Sequence, residues 1–291
     1  MKRTIRIIVL IVLQTHILQA QTSSNVEVCD MCGDRSHNKS PYNISFKHEI
    51  PFLAAGVTLF STGALLSQTS LNTPMTAEEI AGLDTQDVNS FDRGATDNYS
   101  IVAASYSDFF RSSVTLFPLY FLTNSHTKGD LGPLLVMTGE VFLSTYGLTL
   151  IAKNTVRRPR PFLYNSEAPM DDKLTDNGTR SFFSGHTSHT AAFSFFMAKV
   201  ISDYHPNASK ASKIVLWSSA AAIPALTGYL RIAAGKHFPT DVMIGYAVGA
   251  TIGVLIPHWH RKEKKEGRAS VFPVFGLEYT GLALVVPLGR K

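Results

Sequence analysis

The chain has 291 residues, of which 45% are hydrophobic, and its 27 Lys and Arg against 22 Asp and Glu give a formal net charge of +5. This length and hydrophobic content allow one domain of moderate size. Cys29 and Cys32 are the only cysteines, which excludes a four-thiolate zinc site. We expect them to form a local disulfide in an oxidising compartment.

The first residues have the pattern of a secretory signal peptide. Residues 1–20 combine a basic start, the apolar run IIVLIVL and a small residue, Ala20, before Gln21. A retained N-terminal anchor is the alternative. Residues 21–49 are rich in Ser and Asn, and we interpret them as an exported polar linker.

Six apolar segments with helical periodicity follow the linker. They lie at 50–67, 100–122, 131–152, 187–204, 212–234 and 240–257. They predict an all-α domain over 50–258, a helical bundle of about six core helices. Between the first two segments, a capping box from Thr76 to Glu79 predicts a short amphipathic helix. Residues 259–291 form a basic and strand-like C-terminal tail to which we assign no function.

The sequence leaves open whether these helices span a membrane. Small residues in the apolar segments favour membrane packing, whereas the mean hydropathy of +0.07 is low for six spans. The 100–122 segment also contains Asp108 and Arg111. Basic residues gather in the loops at one end of the predicted helices, and three polar segments, 153–161, 183–186 and 230–241, lie at the other end. Because basic loops generally face the cytoplasm, this distribution places the three polar segments outside it. A cleaved leader followed by three full crossings would place them inside. We therefore expect that 100–122 does not cross, or that the bundle is only membrane-associated.

Three fixed cations stand in the later part of the chain. Lys153 and Arg160 follow the third apolar segment, and Arg231 ends the fifth. An arginine fork can hold two phosphate oxygens at once, and a lysine acts as a mobile point charge. Phosphoryl transfer depends on such cations, because charge moves towards the leaving oxygen in the transition state. These residues are candidate phosphate ligands.

Two short turns supply the remaining candidates. Ser184, Gly185 and His186 precede an apolar helix, so their backbone N–H groups are expected at a helix N-terminus, where anions bind. Gly235 is a plausible helix stop, and Pro239 fits the first turn of the next helix.

His237 therefore lies just before a helix whose first turn contains Asp241. We expect Asp241 to accept the Nδ1 proton of His237, which leaves Nε2 free to attack phosphorus. We interpret His189, three residues after His186, as an ordinary helix-face histidine.

In this order and spacing, the clusters resemble the type 2 phosphatidic acid phosphatase family, which includes bacterial acid phosphatases and vanadium haloperoxidases. The family pattern is Lys-x6-Arg-Pro, Pro-Ser-Gly-His and Ser-Arg-x5-His-x3-Asp. This chain has KNTVRRPRP (153–161), FSGH (183–186) and LRIAAGKHFPTD (230–241). Phe183 replaces a Pro and Leu230 replaces a Ser, but neither change removes a charge or a proton carrier. The resemblance covers roughly residues 50–258.

The resemblance implies a metal-independent phosphatase without a cofactor. Its catalytic residues would be His237 as nucleophile, His186 as acid and Asp241, and its phosphate-binding residues Lys153, Arg160, Ser184, Gly185 and Arg231. We expect lipid phosphates of a bacterial envelope as substrates, on the periplasmic side and with the membrane as a partner. The alternatives are a soluble periplasmic acid phosphatase, a vanadium haloperoxidase, for which this chain is short, and a non-catalytic anion-binding protein. Nucleic acid is not expected as a partner.

Overall fold

A computed structural model describes residues 40–43, 46–69, 73–262, 270–275 and 280–285. The signal peptide, Cys29 and Cys32 lie outside the described residues. The α-helices are α1 Phe46–Ser67, α2 Ala77–Ala81, α3 Ser90–Arg93, α4 Ile101–Thr115, α5 Tyr120–Thr123, α6 Leu131–Val156, α7 Met170–Lys173, α8 Gly185–Tyr204, α9 Lys210–Ala233 and α10 Pro239–His260. The 3-10 helices are Thr85–Asp87, Gly94–Asp97, Phe117–Leu119, Lys128–Asp130 and Pro161–Leu163.

Each of the six apolar segments contains a long helix, which confirms the prediction of an all-α bundle. In the second segment, 100–122, the helix is interrupted. Here α4 ends at Thr115, and Pro118 lies in a 3-10 turn before the short α5. Because proline lacks an N–H donor and clashes with the preceding turn, it prevents the helix from continuing. With 15 residues, α4 is shorter than the about 20 residues that a membrane span needs.

Three helical segments are long and apolar enough to cross a membrane. They are Glu49–Ser67 in α1, Lys128–Leu163 around α6, and Pro239–His260 in α10. Large apolar side chains of α1 and α10 face outwards, including Ile50, Leu65 and Met243, which are 63, 66 and 59% exposed. Large apolar side chains exposed on candidate membrane spans are suited to lipid and costly in water. The bundle is therefore suited to membrane association.

The centre of the bundle is α8, which packs most closely against α10. Three glycines of α10 line this contact at every fourth position: a Cβ on Gly245, Gly249 or Gly253 would lie 2.6, 2.1 or 2.3 Å from a carbonyl oxygen of α8 or its cap. Only glycine permits this approach. As a result, the Ser184 N–H donates to the Asp241 carbonyl at 3.0 Å, which joins the second motif to the third.

The polar stretch before α4 folds over the end of the bundle that carries the motifs. The predicted capping box is present: Thr76 N–H donates to Glu79 at 2.8 Å, and Glu79 N–H donates to Thr76 at 3.2 Å. From α2, Ile80 packs against Phe162 and Leu163. This stretch thus covers the segment that follows the first motif.

The residues after His260 form a separate compact unit. Within it, β1 Ser270–Phe275 and β2 Thr280–Val285 form an antiparallel pair. Ser270 pairs with Val285 and Phe275 with Thr280.

Candidate active site

A cavity of about 200 Å³ opens where α6 and α9 end and α8 and α10 begin. Its walls include six predicted site residues: Lys153, Arg160, Gly185, His186, Arg231 and His237. The helix ends therefore bring the three motifs to one place. Ser184 and Asp241, the other two predicted residues, do not line the cavity.

The three predicted cations converge on the cavity from different segments. Lys153 Nζ donates to the carbonyl of Arg180 at 2.6 Å, and Arg160 Nη2 lies 3.4 Å from the same oxygen. Arg231 Nη1 donates to Ser107 Oγ at 3.2 Å. The Nε atoms of both arginines are buried and have no hydrogen-bond acceptor among the described residues. Buried donors without acceptors, next to a concentration of positive charge, are suited to an anion.

The start of α8 adds backbone donors to this cationic wall. The N–H groups of the first turn of an α-helix have no acceptor within the helix. A Cβ on Gly185 would lie 3.0 Å from Thr149 Cγ2, so glycine keeps the turn close to α6. The hydroxyl of Ser184 caps the helix instead of facing the cavity, because it accepts from the Thr187 N–H at 3.4 Å and lies 2.9 Å from Thr187 Oγ1.

His186 is hydrogen-bonded to an acidic residue outside the three motifs. Its Nε2 lies 2.6 Å from Asp108 Oδ1 on α4. Burial lowers the pKa of His186 to about 3, while the hydrogen bond to Asp108 acts in the opposite direction. The imidazole is therefore neutral at pH 7, and its Nε2–H donates to the carboxylate. In the sequence, Asp108 is recognisable only as a charged residue inside an apolar segment, which argues against a membrane span and does not indicate a partner for His186.

The predicted hydrogen bond between His237 and Asp241 is not formed in this structure. His237 Nδ1 lies 3.7 Å from Asp241 Oδ2 and has no hydrogen-bond partner. The carboxylate instead accepts from Ser181 Oγ at 2.5 Å and from the Phe238 N–H at 2.9 Å. Burial, together with the charge of Lys153, holds the pKa of His237 well below its usual value. A neutral imidazole, able to act as a nucleophile, therefore lies in the cavity wall.

Arg158 fixes this carboxylate from outside the cavity. Its Nη1 donates to Asp241 Oδ1 at 2.7 Å and its Nη2 to Asp92 Oδ2 at 2.8 Å. Both carboxylates are fully buried. The guanidinium also lies 4.0 Å from the centre of the Phe238 ring. In the sequence, the run of basic residues at 157–160 gives no indication of a bridge between two carboxylates.

The cavity also contains residues that the motifs did not indicate. Arg111 of α4 lines it and donates to the hydroxyl of Tyr146. His189 also lines it, with Nε2 2.9 Å from Thr115 Oγ1. Asn177 comes from the loop after the first motif. Arg111 adds one more cation to the site.

Taken together, the site is a pocket for a phosphoryl group: grouped cations, open helix N–H groups, a neutral buried histidine and a second histidine that holds a proton. Comparison with protein families gives the same class. Residues 134–265 match the model of the PAP2 superfamily, so this part of the chain is similar to that superfamily. The matched segment contains all three motifs, whereas Asp108 and Arg111 lie before it.

Two solved structures match the chain. The crystal structure of Aquifex aeolicus LpxE is 26% identical and covers 57% of this chain and 92% of its own, with a TM-score of 0.38. That of the first transmembrane PAP2 type phosphatidylglycerolphosphate phosphatase from Bacillus subtilis is 22% identical and covers 76% and 96%, with a TM-score of 0.40. No curated protein sequence matches.

Proposed function

We propose that the protein hydrolyses phosphate monoesters or diphosphates of envelope lipids through a phosphohistidine at His237, without a metal ion in the catalytic step. The observation that carries this proposal is the position of His237. It is 1% exposed, electrically neutral and in the same cavity wall as Lys153, Arg160 and Arg231. A neutral imidazole among cations can attack a bound phosphate, whereas an imidazolium cannot.

The binding step uses the positive charge of the cavity. Phosphate oxygens accept from Lys153, Arg160 and Arg231, and from first-turn N–H groups of Gly185 and His186. The phosphate oxygens also provide acceptors for the Nε–H groups of Arg160 and Arg231, which have none among the described residues. Ser184 supports the site through the helix cap and not through its hydroxyl.

In the chemical step, His237 Nε2 attacks phosphorus and the bond to the leaving oxygen breaks. The negative charge of the bound phosphate favours the protonated form of His186. This imidazolium gives the leaving oxygen its Nδ1 proton and becomes neutral, while the His237 imidazole, now bonded to phosphorus, gains positive charge. A shift of about 1 Å would bring the Asp241 carboxylate to hydrogen-bond distance from Nδ1, where it would stabilise that charge. Water then attacks phosphorus, His186 accepts its proton, and phosphate leaves with His237 restored.

Asp108 gives His186 the partner that this role requires. It holds the ring by one hydrogen bond at Nε2 and favours the protonated imidazole electrostatically. Arg231 lies 3.6 Å from the same carboxylate oxygen, so the acid and one phosphate ligand share a contact. Asp108 is therefore a positioning residue for His186.

Lipid substrates are favoured by the surface around the site. The three candidate membrane spans bring the end of α6 and the start of α10, and with them the cavity, to the end of apolar helices. Arg111, at the same cavity, could take a second negative charge, such as that of a diphosphate. The leader sequence and the basic loops opposite the motifs support a site on the periplasmic side of a bacterial envelope.

The experiment is to trap the covalent intermediate. Full-length protein in detergent is mixed with radiolabelled phosphatidic acid or another labelled phosphate ester and quenched in alkaline SDS. We expect protein-bound label that survives base and is lost in acid, which is characteristic of a phosphorus–nitrogen bond. His237→Ala should hold no label while it still binds vanadate. Label of normal intensity in His237→Ala, or turnover without any trapped label, would reject the phosphohistidine.

A further inference from the structure

Three ionisable side chains meet at the end of the bundle away from the cavity. They are Glu49 of α1, Glu140 of α6 and His260 of α10, all at most 5% exposed. Each belongs to a different candidate membrane span. Because a helix rises about 1.5 Å per residue, His260 stands roughly 28 Å along α10 from Asp241. This cluster, which we call the distal triad, is therefore distinct from the catalytic site.

The carboxylate of Glu140 has no hydrogen bond in the interior. His260 Nε2 lies 2.8 Å from Glu49 Oε2, with which it is hydrogen-bonded. The same nitrogen lies 3.2 Å from Glu140 Oε2, but neither oxygen of Glu140 has a hydrogen-bond partner in the part of the chain that the structure describes. Its helix neighbours Met137 and Val141 belong to the apolar core. A buried carboxylate in such surroundings requires a proton or a cation.

The charges of the distal triad do not balance by themselves. Two carboxyl groups face one imidazole, so a protonated His260 offsets the negative charge of only one of them. A divalent cation bound by a neutral imidazole and two carboxylates makes the group neutral. It also gives the oxygens of Glu140, which have no hydrogen-bond partner among the described residues, an ion to bind.

The geometry of His260 is that of a metal ligand. Its Nδ1 lies 2.7 Å from the Ile256 carbonyl, which accepts the Nδ1 proton. A cation would replace the Nε2 proton that is shared with Glu49, and Nε2, directed at the two glutamates, would then bind the ion. Metal-bound histidines generally have an outer contact like the one at Nδ1. One ligand atom from each residue lies within 4.8 Å of the others. Two atoms that bind one ion at about 2.0–2.2 Å lie at most about 4.4 Å apart, so these ligand atoms are at or close to the spacing that one ion requires.

We propose that Glu49, Glu140 and His260 bind a divalent transition-metal ion of the Zn²⁺ or Mn²⁺ type. Mixed imidazole and carboxylate ligands suit these ions better than Ca²⁺ or Mg²⁺, which prefer oxygen alone, or Cu(I), which prefers sulfur. The ion links α1, α6 and α10 far from the phosphoryl group. Its function is to hold the three helices together, and it takes no part in the phosphatase reaction.

The test is metal content together with thermal stability. Full-length protein, with any affinity tag removed, is incubated with Zn²⁺ or Mn²⁺, dialysed and measured by mass spectrometry of its metals. We expect about one ion per chain in the wild type and near-background content in Glu140→Gln. Chelation with EDTA should lower the Tm of the wild type, and added Zn²⁺ should restore it. The Tm of Glu140→Gln should respond to neither.

A matched control is Asp130→Asn, which removes the charge of another carboxylate near the start of α6 that accepts from Tyr204 at 2.7 Å. It should bind as much metal as the wild type. If the wild type retains no metal, the distal triad is an ion-pair network only and the proposal is overturned. A metal content of Glu140→Gln equal to that of the wild type would overturn it as well. The initial phosphatase rate well below the Tm, measured alongside, should not change with EDTA. Failure of the metal site and failure of the phosphatase are therefore separate outcomes.

Discussion

The two ends of the bundle bury opposite charges. At the catalytic end, Lys153, Arg160 and Arg231 converge on a cavity, and both arginines have unpaired Nε–H groups. At the distal end, Glu49 and Glu140 face one histidine, and Glu140 has no hydrogen bond. A buried group without a partner is costly, so each end requires a ligand of the opposite sign. In the two proposals above, the first end exchanges an anion during turnover, whereas the second holds a cation for stability.

The largest expected effect is a difference in phosphatase rate between a variant at the catalytic end and a variant at the distal end. Removing the nucleophile in His237→Ala should lower kcat by about 10⁴-fold or more, because no other group can form the covalent intermediate. Glu140→Gln should leave the rate within about twofold of the wild type, since it acts on stability alone. Phosphate release by both variants under the same conditions measures this. A large rate loss in Glu140→Gln would mean that the two ends are coupled.

The second effect concerns the acid at the catalytic end. His186→Ala should slow esters with alkyl alcohol leaving groups by about 10²–10⁴-fold. It should slow p-nitrophenyl phosphate much less, because its phenolate leaves without full protonation. Comparison of kcat for the two substrates gives the result. Equal losses would show that His186 binds phosphate or supports the site and does not donate the proton.

A third variant tests the support behind the cavity. Arg158→Lys keeps the charge but cannot bridge Asp92 and Asp241. We expect about 10–100-fold lower kcat, because Asp241 loses an anchor, and a destabilisation of about 2 kcal/mol. The matched control is Arg157→Lys, since this neighbouring arginine donates to the Thr73 carbonyl. Identical behaviour of the two variants would refute the role of the bridge.

The smallest expected effect is a change in pH dependence. Asp108 raises the pKa of His186, so in Asp108→Asn the acid form of His186 is lost at a lower pH. The alkaline limb of the kcat profile should therefore move to lower pH, with about tenfold lower kcat at pH 7. Glu78→Gln, a change at an exposed carboxylate, should leave the profile unchanged. An unshifted limb in Asp108→Asn would assign Asp108 a structural role only.

The fold and much of the candidate site could be predicted because both depend on local patterns. Apolar periodicity located the six long helices, and Gly235 and Pro239 marked where α9 ends and α10 begins. The position of Asp241 in the first turn followed from this. The missing hydrogen bond between Asp241 and His237 could not be predicted in this way. Ser181 and Arg158, which lie far from Asp241 in the sequence, bind its carboxylate instead.

By itself, the sequence determined the helical class and the three motifs, since helix periodicity, stops and caps act over a few residues. Tertiary structure decided which ionisable residues from distant parts of the chain meet. Asp108 reaches His186 across 78 positions, and Glu49 reaches His260 across 211. Such pairs depend on how whole helices pack, as in the contact of Gly249 with the Ser188 carbonyl. A charge in an apolar segment shows that a partner is needed, but only the packed bundle shows which partner it has.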